Sequence, residues 1–196
     1  MRKVSRGDLL ELGAYEAVRE RFRARIVAEK KRRRFAVTSE LTMVFENTDT
    51  ALFQIQEMLR TERIVSEPAI RHEIDTYNEL VPEDGELSAT MFVEIVDRET
   101  RDRRLRELSG LEQAVSIEVA GVLTAARAEN RAVVEGPTTA VHYLKFPIGV
   151  AACAGLRAAA ASHEPSVHVV IRHPALEART AIPPEVLRAL AADFTT

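Results

Sequence analysis

The chain has 196 residues, 46% of them hydrophobic, and a formal net charge of −3. These values suit one α+β domain with a sizeable core, and no run approaches the roughly 18 apolar residues that a membrane helix needs. Cys153 is the single cysteine, which excludes an internal disulfide framework and a Cys-ligated zinc or iron–sulfur site within one chain.

The amino-terminal run Met1 to Asp8 has no apolar segment behind its charges, so it does not read as a secretory signal, and a cytoplasmic location is expected. Charge is uneven along the chain. Residues 1–34 hold 12 Lys/Arg and 5 Asp/Glu, a balance of +7, and the remainder carries −10. That pattern permits a basic helix that meets an acidic surface, within the fold or on a partner.

Ser5 and Asp8 have the spacing of a capping box, a short helix to Leu12 follows, and Gly13 is expected to break it. From about Ala14 to Arg34, Tyr15, Val18, Phe22 and Ile26 recur at helical spacing as one buried stripe. The last turn, Lys30-Lys31-Arg32-Arg33-Arg34, places cations where the helix dipole favours them. Phe35 to Phe45 reads as a strand. The segment Asp49 to about Ile64 reads as a helix with Ala51, Leu52, Ile55, Met58 and Leu59 on a wide apolar face. Its other face, with Phe53, Gln54, Gln56, Glu57 and Arg60, is amide-rich. Ser66-Glu67-Pro68 opens a further helix whose core side is Ile70, Ile74, Tyr77 and Val81 and which Pro82 ends.

The period changes from 3.6 to 2 at Leu87. Residues Ala89 to Ile95 form a strand apolar on both sides, hence a central one. A charged helix spans roughly Arg98 to Leu108, and Val115 to Val119 turns at Ala120-Gly121 into a hairpin partner, Val122 to Arg127. Ala128 to Pro137 is polar and reads as a flexible loop. Thr139 to Phe146 is a strand, Gly149 to Ala161 a small-residue helix, Val167 to Ile171 a final strand, and Pro183-Pro184 opens the closing helix to Phe194. Residues 1–86 are thus mainly helical with one strand, and 87–196 mainly strands with two or three helices. The expected architecture is a single α+β domain with an antiparallel or mixed sheet of five or six strands.

Three constellations carry chemistry. Glu46, Asn47, Asp49, Gln54, Gln56, Glu57, Asp75, Tyr77, Asn78 and Glu79 form a polar cluster suited to a small ligand or a hard divalent cation. Its plainer reading is helix caps and solvated carboxylates, which are commoner than sites. Among His72, His142, His163, His168 and His173, His142 shares a strand face with Leu144 and Phe146 and His168 falls on a neighbouring strand, and Glu46, Glu57 and His142 are the candidate metal ligands. No His-x-His or His-Glu-x-x-His spacing supports them. The basic run Lys30, Lys31, Arg32, Arg33 and Arg34 suits phosphate, yet no nucleic-acid motif accompanies it, so a solvated helix end or an acidic contact is favoured. No Gly-x-Ser-x-Gly elbow, dinucleotide fingerprint or P-loop is present.

Phe45-Glu46-Asn47-Thr48-Asp49-Thr50, Phe53-Gln54-Ile55-Gln56-Glu57-Met58, Asp75-Thr76-Tyr77-Asn78-Glu79-Leu80, Glu86-Leu87-Ser88-Ala89-Thr90 and His142-Tyr143-Leu144-Lys145-Phe146-Pro147 together resemble the bacterial domain-of-unknown-function family 3501. The resemblance spans essentially the whole chain. It departs at Ala120-Gly121, where Asp-Gly is expected, and at Ala175, where an aromatic is expected after His173-Pro174. Members are typically encoded beside a rubrerythrin-like protein and an iron–sulfur oxidoreductase. The resemblance therefore implies a cytosolic accessory or binding protein of a redox system, and it carries over no catalytic residue and no cofactor. A metal-dependent enzyme or ligand binder on the polar cluster is the alternative, and nucleic-acid binding through residues 19–34 a weaker one. A homodimer is left open.

Overall fold

In the computed structural model, which describes residues 1–128, 138–162 and 166–194, a 3-10 turn at Arg6–Asp8 precedes the helix α1, Leu12–Arg33. The Ser5–Asp8 capping box is present. Gly13 does not break the chain: it lies in the first turn of α1, where no intrahelical partner is lost. The remaining order is β1 (Arg34–Ala36), β2 (Leu41–Phe45), α2 (Thr48–Thr61), α3 (Glu67–Asn78), β3 (Leu87–Val93), α4 (Arg98–Glu107), β4 (Val115–Val119), β5 (Val122–Ala125), β6 (Arg127–Ala128), β7 (Val141–Phe146), α5 (Gly149–Ala161), β8 (Val167–His173), β9 (Leu176–Ala181) and α6 (Pro184–Asp193). The loop expected at 128–137 lies, from residue 129 on, outside the described residues, as does His163.

The fold is α+β and its ladders are antiparallel, but the strands divide into two sheets rather than one. Two hairpins add strands to those expected. Phe35 to Phe45 is broken by a bend in which Thr38 Oγ1 accepts from the amides of Glu40 and Leu41, so one expected strand is two. After β8, Pro174-Ala175 turns the chain back into β9, with the Ala175 amide donating to His173 Nδ1 at 3.1 Å. The sheets run β1-β2-β3-β7-β6 and β5-β4-β8-β9. β3 is central, as its two-sided apolar pattern requires. At the β4–β5 hairpin, Ala120 at φ 49° and Gly121 at φ 82° both adopt the left-handed region that a two-residue turn demands.

One core joins the sheets. Leu41, Met43, Phe45, Ala89, Met91, Leu144 and Phe146 of the first sheet pack with Val115, Ile117, Val167, Val169 and Ile171 of the second, closed by Leu156 of α5 and Leu187 and Leu190 of α6. A smaller cluster, Ala51, Ile55, Leu59, Ile70, Ile74 and Val81 with Val4 and Leu9, holds α2 and α3 against the amino-terminal arm. Helix α1 is the exception to both. Of its 22 residues only Tyr15, Ile26 and Arg33 are buried, so the expected stripe is incomplete: Phe22 is half-buried and Val18 is 38% exposed.

Candidate functional site

The amide-rich face of α2 is the first part of the polar cluster to acquire a role. Gln56, buried, accepts from the Leu10 amide at 2.7 Å and donates to the Leu10 carbonyl at 3.1 Å. Asn78 at the end of α3 does the same to Val4, accepting at 2.8 Å and donating at 2.8 Å. A carboxamide offers an acceptor and a donor in one plane, so it pairs with an extended backbone as a neighbouring strand would. Both amides therefore grip the arm that precedes α1, and Thr48 adds a third stitch by donating to the Arg2 carbonyl at 2.7 Å. Among the described residues Gln54 bonds its own helix, through the Thr50 carbonyl at 3.3 Å.

The acidic residues are dispersed. Glu57 faces α1, where Arg19 binds it through two nitrogens at 2.8 and 2.7 Å and the Tyr15 hydroxyl donates at 2.7 Å. The Arg19 bonds hold the Glu57 carboxyl below its ordinary value, and burial pushes the Tyr15 hydroxyl up. Asp49, in the first turn of α2, pairs with Arg25 at 2.9 Å. Asn47 caps α2, accepting from the Thr50 amide at 2.9 Å, and its Nδ2 donates to Glu29 of α1 at 3.2 Å. Asp75 and Glu79 are exposed on α3, and Tyr77 packs against the smaller cluster. These residues do not form one concave site.

The candidate metal ligands are also apart. Glu46 follows β2 and accepts from Thr90 Oγ1 at 2.6 Å; its Oε2 is buried without a hydrogen-bond partner among the described residues. Thr90, buried, lies on the face of β3 away from the core between the sheets, opposite Tyr143, whereas His142 lies on the core face beside Met91. Glu46 and His142 thus lie on opposite faces of one sheet. Ten residues of α2 put Glu57 about 15 Å further along. Among the described residues no group of three or more His, Cys, Asp or Glu could hold a metal ion. His142 has Glu112 at 3.6 Å from Nδ1 and Thr138 at 3.4 Å from Nε2, and burial holds its pKa below the ordinary value against the pull of Glu112. His173 is a satisfied core histidine, with Nε2 3.0 Å from the Ser109 carbonyl.

The basic run separates into an inner and an outer set. Arg33, 3% exposed, is bidentate to Asp193 of α6 at 2.6 and 2.6 Å and reaches Glu29 at 2.5 Å. Burial lowers the affinity of Arg33 for its proton, but the bonds to Asp193 and Glu29 outweigh it and its pKa rises. Burial pushes the Asp193 carboxyl up against the same guanidinium, and the bidentate geometry with a permanently charged partner keeps the pair ionic. Arg32 bonds Glu29, while Arg34 bonds Glu94 and lies over the Phe92 ring at 5.4 Å. Lys30 and Lys31, together with Arg21 and Arg23 further up α1, have no ion pair among the described residues. Sequence reasoning could not single out Arg33 from its neighbours, because its partner Asp193 is 160 residues away.

The chain belongs to a family of proteins of unknown function, DUF3501, whose sequence model matches residues 3–194. It is also similar to a solved structure, described as that of a novel protein of unknown function from Burkholderia pseudomallei K96243. The two share 34% identity over 98% of this chain and 99% of the other, with a TM-score of 0.88. No curated protein matches. Among the described residues no helix is long and apolar enough to cross a membrane.

Proposed function

We propose that the chain is a cytoplasmic accessory protein that works by binding, in a redox system with a rubrerythrin-like protein and an iron–sulfur oxidoreductase, and that the outer face of α1 is its docking surface. One observation carries this reading. The polar residues that resembled a site are engaged mostly inward, as grips on the arm and locks between helices, whereas Arg21, Arg23 and Lys31, exposed on α1, and the half-buried Lys30 have no ion pair among the described residues. A surface charged in that way steers an acidic partner and fixes its orientation. The family resemblance supplies the partner class. Among the described residues Glu46, Glu57 and His142 do not converge, which favours the binding reading over the metal-dependent alternative.

The test mixes the purified chain with each presumed partner at micromolar concentration and follows complex formation by calorimetry. A complex is expected with at least one, weakened about tenfold between about 0.05 and about 0.2 M salt and again by an Arg23→Glu/Lys30→Glu variant. No complex with either partner overturns the proposal.

A further inference from the structure

We infer that β5 is a dimerisation edge, along which two copies of the chain pair antiparallel about a two-fold axis and join their second sheets into one. The surface contains no residue of α1, so the inference stands apart from the docking role proposed above. It follows from the hydrogen-bond parity of the β4–β5 hairpin. The two-residue turn at Ala120-Gly121 makes Val119 and Val122 a bonded pair. The Ala126 amide, 2.8 Å from the Val115 carbonyl, continues the same parity past the far end of β5. The amides and carbonyls of Leu123 and Ala125 therefore point away from β4, to the open edge of the second sheet, and have no partner among the described residues.

Sheet edges are guarded by charge against pairing with another chain. Three edges of this molecule are: β1 carries Arg34, β6 carries Arg127, and β9 carries Glu177 and Arg179. The fourth, β5, reads Val-Leu-Thr-Ala, with Val122 65% and Leu123 42% exposed. On the outer face Glu118, opposite Leu123, is held by Arg179 through two nitrogens at 3.0 and 2.9 Å. On the core side Val122 lies beside Val119, against which Gly155 of α5 packs so closely that a Cβ there would stand 3.3 Å from Val119 Cγ1. Ala151 and Ala158, exposed about 40° and 60° round α5 from Gly155, flank that contact, and Arg157, the one charged residue of the helix, lies about 160° away.

Charge and symmetry choose the occupant. A partner of another kind is selected by charge, and β5 has none to offer, whereas interfaces between copies of one chain are the more apolar class. A two-fold axis through Leu123 sets Leu123 of one copy opposite Leu123 of the other, and Gly121 opposite Ala125. Each outward amide of Leu123 and Ala125 then meets a carbonyl, and each outward carbonyl an amide. Opposite residues share a face, so the two Leu123 side chains cover each other on the outer side and Val122 covers Thr124 on the core side. Both β5 edges are used in that contact and the remaining edges are charged, so assembly closes at two.

The experiment measures the mass of the full chain by sedimentation equilibrium and its amide exchange at residue resolution. Leu123→Lys and Leu123→Glu each set like charges opposite one another at the axis, and Val96→Lys, at a residue 99% exposed before α4, is the control. Circular dichroism confirms that each variant folds. The native chain is expected to be a dimer with a dissociation constant of about 1 µM. Either Leu123 variant should weaken it at least about tenfold, Val96→Lys should not, and mixing the two Leu123 variants should restore it. The Ala125 amide should exchange slowly in the dimer and fast in monomeric Leu123→Lys. A native chain still monomeric at about 100 µM overturns the inference. So does a dimer indifferent to both Leu123 variants, or a mixture of the two that stays monomeric. A slow Ala125 amide in a monomeric native chain, or one that slows only when a rubrerythrin-like partner is added, assigns the edge to another occupant and also overturns it.

Discussion

The inner and outer faces of α1 both carry arginines, and these differ in what each one meets. Arg19 and Arg33 turn inward and meet Glu57, Glu29 and Asp193. Arg21 and Arg23, two and four residues from Arg19, are exposed and meet no carboxylate among the described residues. The strand core is held by apolar burial from two sheets and two helices. Helix α1 has three buried residues and cannot be held in that way. Its inner arginines act as locks, and the outer ones are left for other work. A gradient of burial along this helix should therefore be a gradient of stability effects, and each substitution below sits at one point on it.

The largest effect is expected at Arg33. Arg33→Met leaves the largely buried Asp193 carboxylate without its guanidinium and Glu29 with Arg32 alone. Breaking a buried pair from one side costs about 3–5 kcal/mol. Urea unfolding should show that loss, and an Arg33→Met/Asp193→Leu double variant should recover most of it, because the uncompensated charge is gone. A single-variant loss of the size typical of surface pairs would mean that the lock is wet and that the inner and outer faces do not differ as described.

Much of this was legible in the sequence, and the failures have a common cause. The helices, the central strand Leu87–Val93 and the α5 boundaries follow from local period and punctuation, which neighbours in sequence decide. The bend at Thr38 and the turn at Pro174 were missed because each hairpin is fixed by short-range polar contacts inside a run that still alternates. Within the polar cluster, the composition of α2 was read correctly as unusual, but residue type cannot distinguish an amide that grips a ligand from one that grips the chain. Gln56 reaches 46 residues back to Leu10 and Asn78 reaches 74 back to Val4, distances that no local pattern encodes.

Glu57 comes next on the gradient. Glu57→Gln keeps an acceptor for Tyr15 and removes the charge that Arg19 binds twice. Hydrogen bonds to charged groups contribute about 1.5–3 kcal/mol, and partial exposure places this pair at the low end. The pH dependence gives the sign. Arg19 depresses the Glu57 carboxyl in the folded state, so its stabilisation is present above the unfolded value of about 4.3 and is lost as pH falls through the folded one. The difference between native and variant unfolding free energies should be flat at neutral pH and shrink in acid; a difference that grows in acid would refute the assignment. At Asn47, loss of the cap in Asn47→Ala is expected to cost about 1 kcal/mol, read as a lower thermal midpoint.

The outer face ends the gradient and is its sharpest test. Among the described residues exposed Arg23 and half-buried Lys30 have no carboxylate to lose, so reversing them removes no ion pair seen there. Lys30 sits in the last turn of α1, where the dipole favours a cation by a few tenths of a kcal/mol, and an exposed substitution away from such features stays within about 0.5 kcal/mol. Arg23→Glu/Lys30→Glu should therefore unfold in urea within about 1 kcal/mol of the native chain. The same pair is the one expected to weaken partner binding about tenfold. Those two readouts must separate if the helix has one face for the fold and one for a partner. A reversal that costs as much as Arg33→Met would show that the outer cations also hold the fold, and the docking surface would have to be sought elsewhere.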